Sequence, residues 1–281
     1  MNGPDIDKAF TGSIAALYEE YFVPLIFEPY AVDLADRVAS LPALRGGPRA
    51  ERTRLLEIAA GTGVATRHLA ATLPESVSIT ATDLNPAMLD LASEIGTPRP
   101  VQWRQADATA LPFRDGEFDA VVCQFGYMFP TDKPAAFAEA RRVLAPGGVL
   151  IFNVWDRIEE NDFADVVTTA LENVFPEDPP RFMARIPHGY HDLAAIGQDL
   201  RGGGFTASPQ TVTVAARSRA ASPRIPAVAY CQGSPLRNEI EARDASRLDE
   251  ATDVATEAIA RRFGSGPVDG KIQAHIVTVA R

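Results

Sequence analysis

The chain's 281 residues are 46% apolar and 23% charged, enough for a sizeable core and against wholesale disorder. At roughly 150 residues per domain, this length holds two domains or one large α/β domain with an insertion. A formal charge of −10 and a pI near 5.0 argue against a nucleic-acid partner, because phosphate binding needs a basic surface.

The spacing of Ile14, Leu17, Tyr18, Tyr21 and Phe22 predicts helix within residues 6–40, broken by Pro24 and Pro29. A second helix is expected over 30–39. Residues 1–45 read as a helical cap, 41–52 as a linker, and 46–281 as the main domain. Strands are expected over 54–60, 77–82, 101–105, 118–124 and 149–155. Helices are expected over 66–73, 86–94 and 133–144, with Pro86 at a first helical position. This alternation implies βαβ units and a parallel sheet covered on both faces. Further strands are expected over 206–215 and 272–280, with a helix around 236–263. Residues 156–192 contain Pro176, Pro179, Pro180 and Pro187, match no crossover of normal length, and read as an insertion. Cys123 and Cys231 are too few for a disulfide framework and read as reduced thiols. The first ten residues lack the basic and apolar regions of a signal peptide, and the apolar runs are strand-sized. A soluble, cytoplasmic protein with no membrane partner is expected.

Four strand ends carry the chemistry. The run Leu55-Leu56-Glu57-Ile58-Ala59-Ala60-Gly61-Thr62-Gly63 is an apolar strand ending in a small-residue turn that opens a helix. Gly61 and Gly63 permit positive φ and close ligand approach, and the helix start offers free N–H groups. A tight turn with no ligand would look the same. Asp83 ends the second strand 20 residues after Gly63, where an adenosine ribose meets a carboxylate. Helix N-capping is its plainer role. Asp107 ends the third strand beside the switch point of such a sheet, placed either to accept from an adenine amino group or to close a surface turn. Gln124 ends the fourth strand, with Phe125 and Tyr127 lining the cleft or simply packing the core. A nicotinamide-dependent oxidoreductase is one reading. Its G-x-G-x-x-G/A fingerprint, however, meets Thr66 at the third position.

Taken together, the run from Glu57 to Thr66, Asp83-Leu84-Asn85-Pro86-Ala87-Met88-Leu89, Asp107-Ala108 with Leu111-Pro112-Phe113, and Arg141-Arg142-Val143-Leu144-Ala145-Pro146-Gly147-Gly148 resemble the class I S-adenosylmethionine-dependent methyltransferases. The nearest style is the ubiquinone/menaquinone C-methyltransferase group, methyltransferase type 11, over about residues 54–155. The family's first loop glycine is Ala59 here, small enough for the turn if its φ stays negative. The resemblance implies a Rossmann-like, doubly wound seven-stranded sheet ordered 3-2-1-4-5-7-6, with strand seven antiparallel. It implies S-adenosyl-L-methionine as cofactor. Glu57, Gly61, Thr62 and Gly63 would form the methionine-side loop. Asp83 would hold the ribose, Leu84 and Met88 would pack on the adenine, Asp107 and Ala108 would bind its edge, and Gln124 would lie close by.

The expected activity is methyl transfer to a small-molecule acceptor. The alternatives are the oxidoreductase and a non-catalytic cofactor-binding homologue. Tyr18, Tyr21, Tyr30, Phe125, Tyr127 and Trp155 are the expected acceptor-side residues, with the N-terminal aromatics acting as a lid or as a helix pair stapled to the core. Such a displacement needs a base only if the acceptor must lose a proton. His188 and His191, with Tyr190, are the candidates, against loop or capping roles. No cluster has metal-ligand spacing, so no metal is expected. A homodimer is left open.

Overall fold

In the computed structural model, residues 13–44 and 53–281 are described. The chain begins with α1 (Ser13–Leu17), a π-helical stretch (Tyr18–Phe27) and α2 (Glu28–Ala39). The expected breaks at Pro24 and Pro29 do not occur. Pro24 falls inside the wide-turned π stretch, and Pro29 is the second residue of α2, which follows that stretch directly. Residues 6–12 and 45–52 of the expected cap and linker lie outside the described residues.

β1 (Thr53–Ile58), α3 (Val64–Thr72), β2 (Val77–Asp83), α4 (Pro86–Ile95), β3 (Gln102–Gln105), β4 (Phe118–Gln124), α5 (Lys133–Val143) and β5 (Leu144–Trp155) follow. β1, β2 and β4 are buried nearly end to end, as parallel strands covered on both faces must be. Asn85 caps α4 by accepting from Ala87 N at 3.2 Å, and Asp132 caps α5 by accepting from Ala135 N at 2.9 Å.

The sheet has the order β3-β2-β1-β4-β5-β7-β6. The β2–β3, β1–β2, β1–β4 and β4–β5 pairs are parallel. β7 (Val268–Ala280) is antiparallel: Gly148 O accepts from Arg281 N at 2.9 Å, while Asp156 N donates to Gln273 O at 3.0 Å. β6 (Gln210–Ala220) starts four residues later than expected, just after Pro209, which cannot donate to a ladder.

The chain divides into two compact units. One comprises residues 29–154, 192–213 and 275–281, including α8 (Leu193–Gly202). Its centre holds Leu55, Leu56, Val121, Val122 and Phe152, and Tyr127 stacks on Phe137 at 4.4 Å. The other comprises residues 13–28, 155–191 and 214–274. It contains α6 (Asp162–Val174), α7 (Phe182–Arg185), α9 (Arg224–Gln232), α10 (Leu236–Asp244) and α11 (Leu248–Phe263). The expected single helix over 236–263 is therefore interrupted. Asp244 accepts from Ser246 N at 3.0 Å and Ser246 Oγ at 2.6 Å, capping a 3-10 turn that ends one helix before the next begins. In the supposed insertion, Phe163, Val167, Leu171 and Val174 are buried at helical spacing along α6. No helix among the described residues is long and apolar enough to cross a membrane.

Candidate cofactor site

Glu57 sits near the carboxyl end of β1 and is 1% exposed. Neither of its carboxyl oxygens has a hydrogen-bond partner, and the buried hydroxyls of Thr62 and Thr66 are also unpartnered. Burial pushes the Glu57 carboxyl up to about 8; the Thr66 hydroxyl, near it but outside hydrogen-bonding geometry, acts against this, and the Asp83 charge adds to it. Orphaned buried polar groups are rare and costly, so three around one loop fit a role in binding a polar ligand. The loop is tied from outside. Ala60 N donates to Thr82 O at 2.9 Å, Thr82 Oγ1 donates to Glu57 O at 2.9 Å, and Arg67 Nη1 donates to Thr62 O at 2.8 Å. Gly63 must be glycine: its φ is +85°, and a Cβ there would meet Trp103 at 3.0 Å and Ala92 at 3.2 Å.

Ala59 overturns one expectation. Its φ is +56°, not negative. Only one other described non-glycine residue has positive φ: Phe125, at +53°, just beyond the end of β4. A left-handed L-residue costs roughly 1–2 kcal/mol. Both strained positions lie just beyond the carboxyl ends of the neighbouring strands β1 and β4, where doubly wound sheets bind ligands. Gly126 completes the arrangement: a Cβ on it would lie 2.5 Å from both Ala59 Cβ and Cys123 Sγ.

The other cofactor candidates line up along the same strand ends. Asp83 does not cap α4; that role is Asn85's. Its Oδ2 accepts from Gly61 N and its Oδ1 from Asn85 N, both at 2.8 Å. Leu84 is 45% exposed, an apolar side chain left in the open at the strand end, while Met88 is buried. β3 ends at Gln105, so Asp107 lies in a turn beyond it. Its Oδ1 accepts from Thr109 N at 2.8 Å and Oγ1 at 2.7 Å, and half-buried Ala108 lies within that turn. Gln124 is 9% exposed. Asn153, unremarked in the sequence, pairs with Gln124 across β4–β5 and is fully buried. A lone amide within the apolar run from Val149 to Trp155 was the available signal.

Of the acceptor-side candidates, Tyr30 and Phe125 form a T-shaped pair at 5.4 Å, and Tyr127 lies in the core stack. In the other unit, Tyr18 packs against Phe27 at 5.1 Å, Phe27 against Trp155 at 5.9 Å, and Trp155 against His188 at 6.0 Å. Tyr21 is half-buried, and its hydrogen bond with Glu20 raises its hydroxyl pKa. His188 Nδ1 lies 2.8 Å from Asp156 O and must donate to it, which leaves Nε2 as an acceptor. Burial holds this imidazole down at about 4, so it is neutral at pH 7. His191 Nδ1 donates to His188 O at 2.7 Å, and Tyr190 is buried.

Sheet order, antiparallel β7 and a glycine-bearing loop at the end of β1 define a class I methyltransferase fold. Residues 56–152 match the family described as Methyltransferase domain. The chain is 34% identical over 154 residues to a demethylmenaquinone methyltransferase of Deinococcus radiodurans, a match covering 51% of this chain and 64% of that protein. It therefore spans a little under two thirds of that relative's length. Solved structures with the same fold include the following two. One is a Haemonchus contortus phosphoethanolamine N-methyltransferase solved with S-adenosylhomocysteine: TM-score 0.59, 16% identity, covering 100% of this chain and 61% of that one. The other is the [4+2]-cyclase SpnF: TM-score 0.55, 21% identity, covering 89% and 80%. At these identities they bear on the fold alone. The oxidoreductase and non-catalytic alternatives gain no support from these matches.

Proposed function

We propose that the protein transfers the methyl group of S-adenosylmethionine to a small, partly apolar acceptor. The observation that carries this reading is the buried, unpartnered carboxyl of Glu57 beside the unpartnered hydroxyls of Thr62 and Thr66. The methionine end of that cofactor brings an ammonium and a carboxylate, matching a buried carboxyl and a helix start. Asp83 retains acceptor capacity on both oxygens for the ribose hydroxyls, and exposed Leu84 offers an apolar face for the adenine. The cofactor supplies an electrophilic methyl on a sulfonium whose charge disperses as the methyl leaves.

The protein's part is then to align the acceptor and keep water out, with aromatic faces attracting the cation. Tyr30 and Phe125 are the acceptor-side residues of the sheet unit in this reading, and Tyr127 packs the core beneath them. Within the other unit, His188 is the candidate base, its Nε2 left as an acceptor, should the reaction need a proton removed. His191 braces its backbone by donating from Nδ1 to His188 O. An acidic chain suits a neutral or cationic acceptor better than a polyanion. The name of the demethylmenaquinone methyltransferase suggests a quinol as the first acceptor to try.

The test is transfer of radiolabelled methyl to a panel holding a reduced 2-demethylnaphthoquinone, a catechol and a small tertiary amine. Label in at least one member supports the reading. A protein that binds S-adenosylhomocysteine but labels nothing in this panel contradicts the proposed acceptor class.

A further inference from the structure

We infer that Asn153 is a positioning residue that fixes Phe125 as a rigid wall of the acceptor side at the end of β4. The inference rests on the methyltransferase reading and adds a residue to it.

Phe125 is left-handed at φ +53° although it is large and aromatic, a conformation that glycine would adopt without strain. Something must hold it there. Its N–H is shared between two acceptors on one residue, Asn153 Oδ1 at 3.0 Å and Asn153 O at 3.2 Å. An N–H faces an acceptor, so the amide orientation is fixed with Oδ1 toward Phe125 and Nδ2 away. That Nδ2 is buried and has no partner. A fully buried amide in a central strand, with one half unsatisfied, is a poor solution for packing alone, and an apolar residue would serve the core better. Two unfavourable features thus meet at one hydrogen bond, beside the strand ends where such sheets take ligands. Their joint product is the placement of one ring. Phe125 is 5% exposed and braced edge-on by Tyr30 at 5.4 Å. Gly126 follows without a side chain, so the turn passes directly over Ala59.

Only the acceptor half of the Asn153 amide is engaged. Asn153→Asp keeps an oxygen toward Phe125 N and sacrifices no existing hydrogen bond, whereas Asn153→Leu removes the tether at similar volume. The test compares the full chain and both variants, with Phe125→Leu as a fourth protein should Asn153→Leu fail to fold. Three quantities are read: S-adenosylhomocysteine affinity, amide exchange at the residue 125 N–H, and kcat/KM for the best acceptor of the panel above. Expected are affinities within about threefold throughout. Asn153→Leu should show at least about tenfold faster exchange and at least about tenfold lower acceptor kcat/KM, with Asn153→Asp close to wild type. Phe125→Leu should show the same acceptor loss. Wild-type exchange and acceptor kinetics in Asn153→Leu would overturn the inference. So would an equal loss of S-adenosylhomocysteine affinity, or a Phe125→Leu variant with wild-type acceptor kinetics. A wild-type protein that does not bind S-adenosylhomocysteine fails the methyltransferase reading instead, while the exchange comparison still decides whether Asn153 holds Phe125.

Discussion

Asp83 Oδ2 accepts the Gly61 N–H at 2.8 Å, so the carboxylate at the end of β2 holds the loop at the end of β1 in place. Its other oxygen accepts from Asn85 N at 2.8 Å. The residue proposed to bind the ribose is therefore also a structural tie, and burial has raised its pKa despite those donors.

Replacing Asp83 by Ala removes both bonds. It should lower stability by about 1.5–3 kcal/mol, the usual range for hydrogen bonds to a charged group, and weaken S-adenosylhomocysteine binding by a similar amount. Asp83→Asn keeps one acceptor and should fall between. Denaturant midpoints and calorimetry decide; an Ala variant with unchanged midpoint and affinity would remove both roles.

Glu57 should show stability and function opposed. Its folded pKa of about 8 lies above the ordinary 4.5, so the folded state holds an extra proton between those values and loses stability as pH rises through them. Glu57→Gln removes that liability. At pH 8.5 it should be more stable than wild type by roughly 1–3 kcal/mol, with a flatter pH profile. Cofactor binding favours the charged carboxylate, so wild-type affinity should rise between pH 6.5 and 8.5, and Glu57→Gln should bind at least about tenfold more weakly. A less stable Gln variant at pH 8.5, or one with full affinity, contradicts this.

Ala59 and Gly126 share one space. Gly126→Ala would place a methyl 2.5 Å from Ala59 Cβ and Cys123 Sγ and should cost about 1–3 kcal/mol. Ala59→Gly relieves a left-handed alanine but loosens the unfolded chain, leaving a net gain between zero and about 1 kcal/mol. The double variant should recover part of the Gly126→Ala loss, a coupling that a double-mutant cycle reads directly. Strict additivity would show that the two loops do not meet.

His188 sets an acid limit. Its folded pKa of about 4 lies below the ordinary 6.5, with burial the main cause and His191 adding to it. The unfolded chain binds the extra proton between those values, so stability is present above 6.5 and is lost on acidification toward 4. His188→Asn should flatten the wild-type stability profile across that window. Equal differences in unfolding free energy between wild type and His188→Asn at pH 4.5 and 7, from urea midpoints, would mean that the ring protonates without cost.

The parallel strands and loop glycines were legible because burial on both faces writes such strands as apolar runs and the turns after them in Gly and Asp, while the strand order came from the resemblance to the class I methyltransferases. Ala59 illustrates the limit. A small residue type fits the turn, but its left-handed φ and its close approach to Gly126, far away in sequence, are set by the fold and not by residue type. Pro24 misled because the composition rule assumes α-helical turns, and the chain forms π turns there. α6 was hidden by the prolines after it, although Phe163, Val167, Leu171 and Val174 carried its period. Asn153 was missed because its significance depends on the Phe125 amide across the sheet.

Calorimetric titration of the intact protein with S-adenosylhomocysteine, and in parallel with NADH, tests the central claim most directly. The account expects one S-adenosylhomocysteine site of micromolar or better affinity, weakened in Glu57→Gln and Asp83→Ala, and no heat from NADH. Saturable NADH binding with no response to S-adenosylhomocysteine would contradict it.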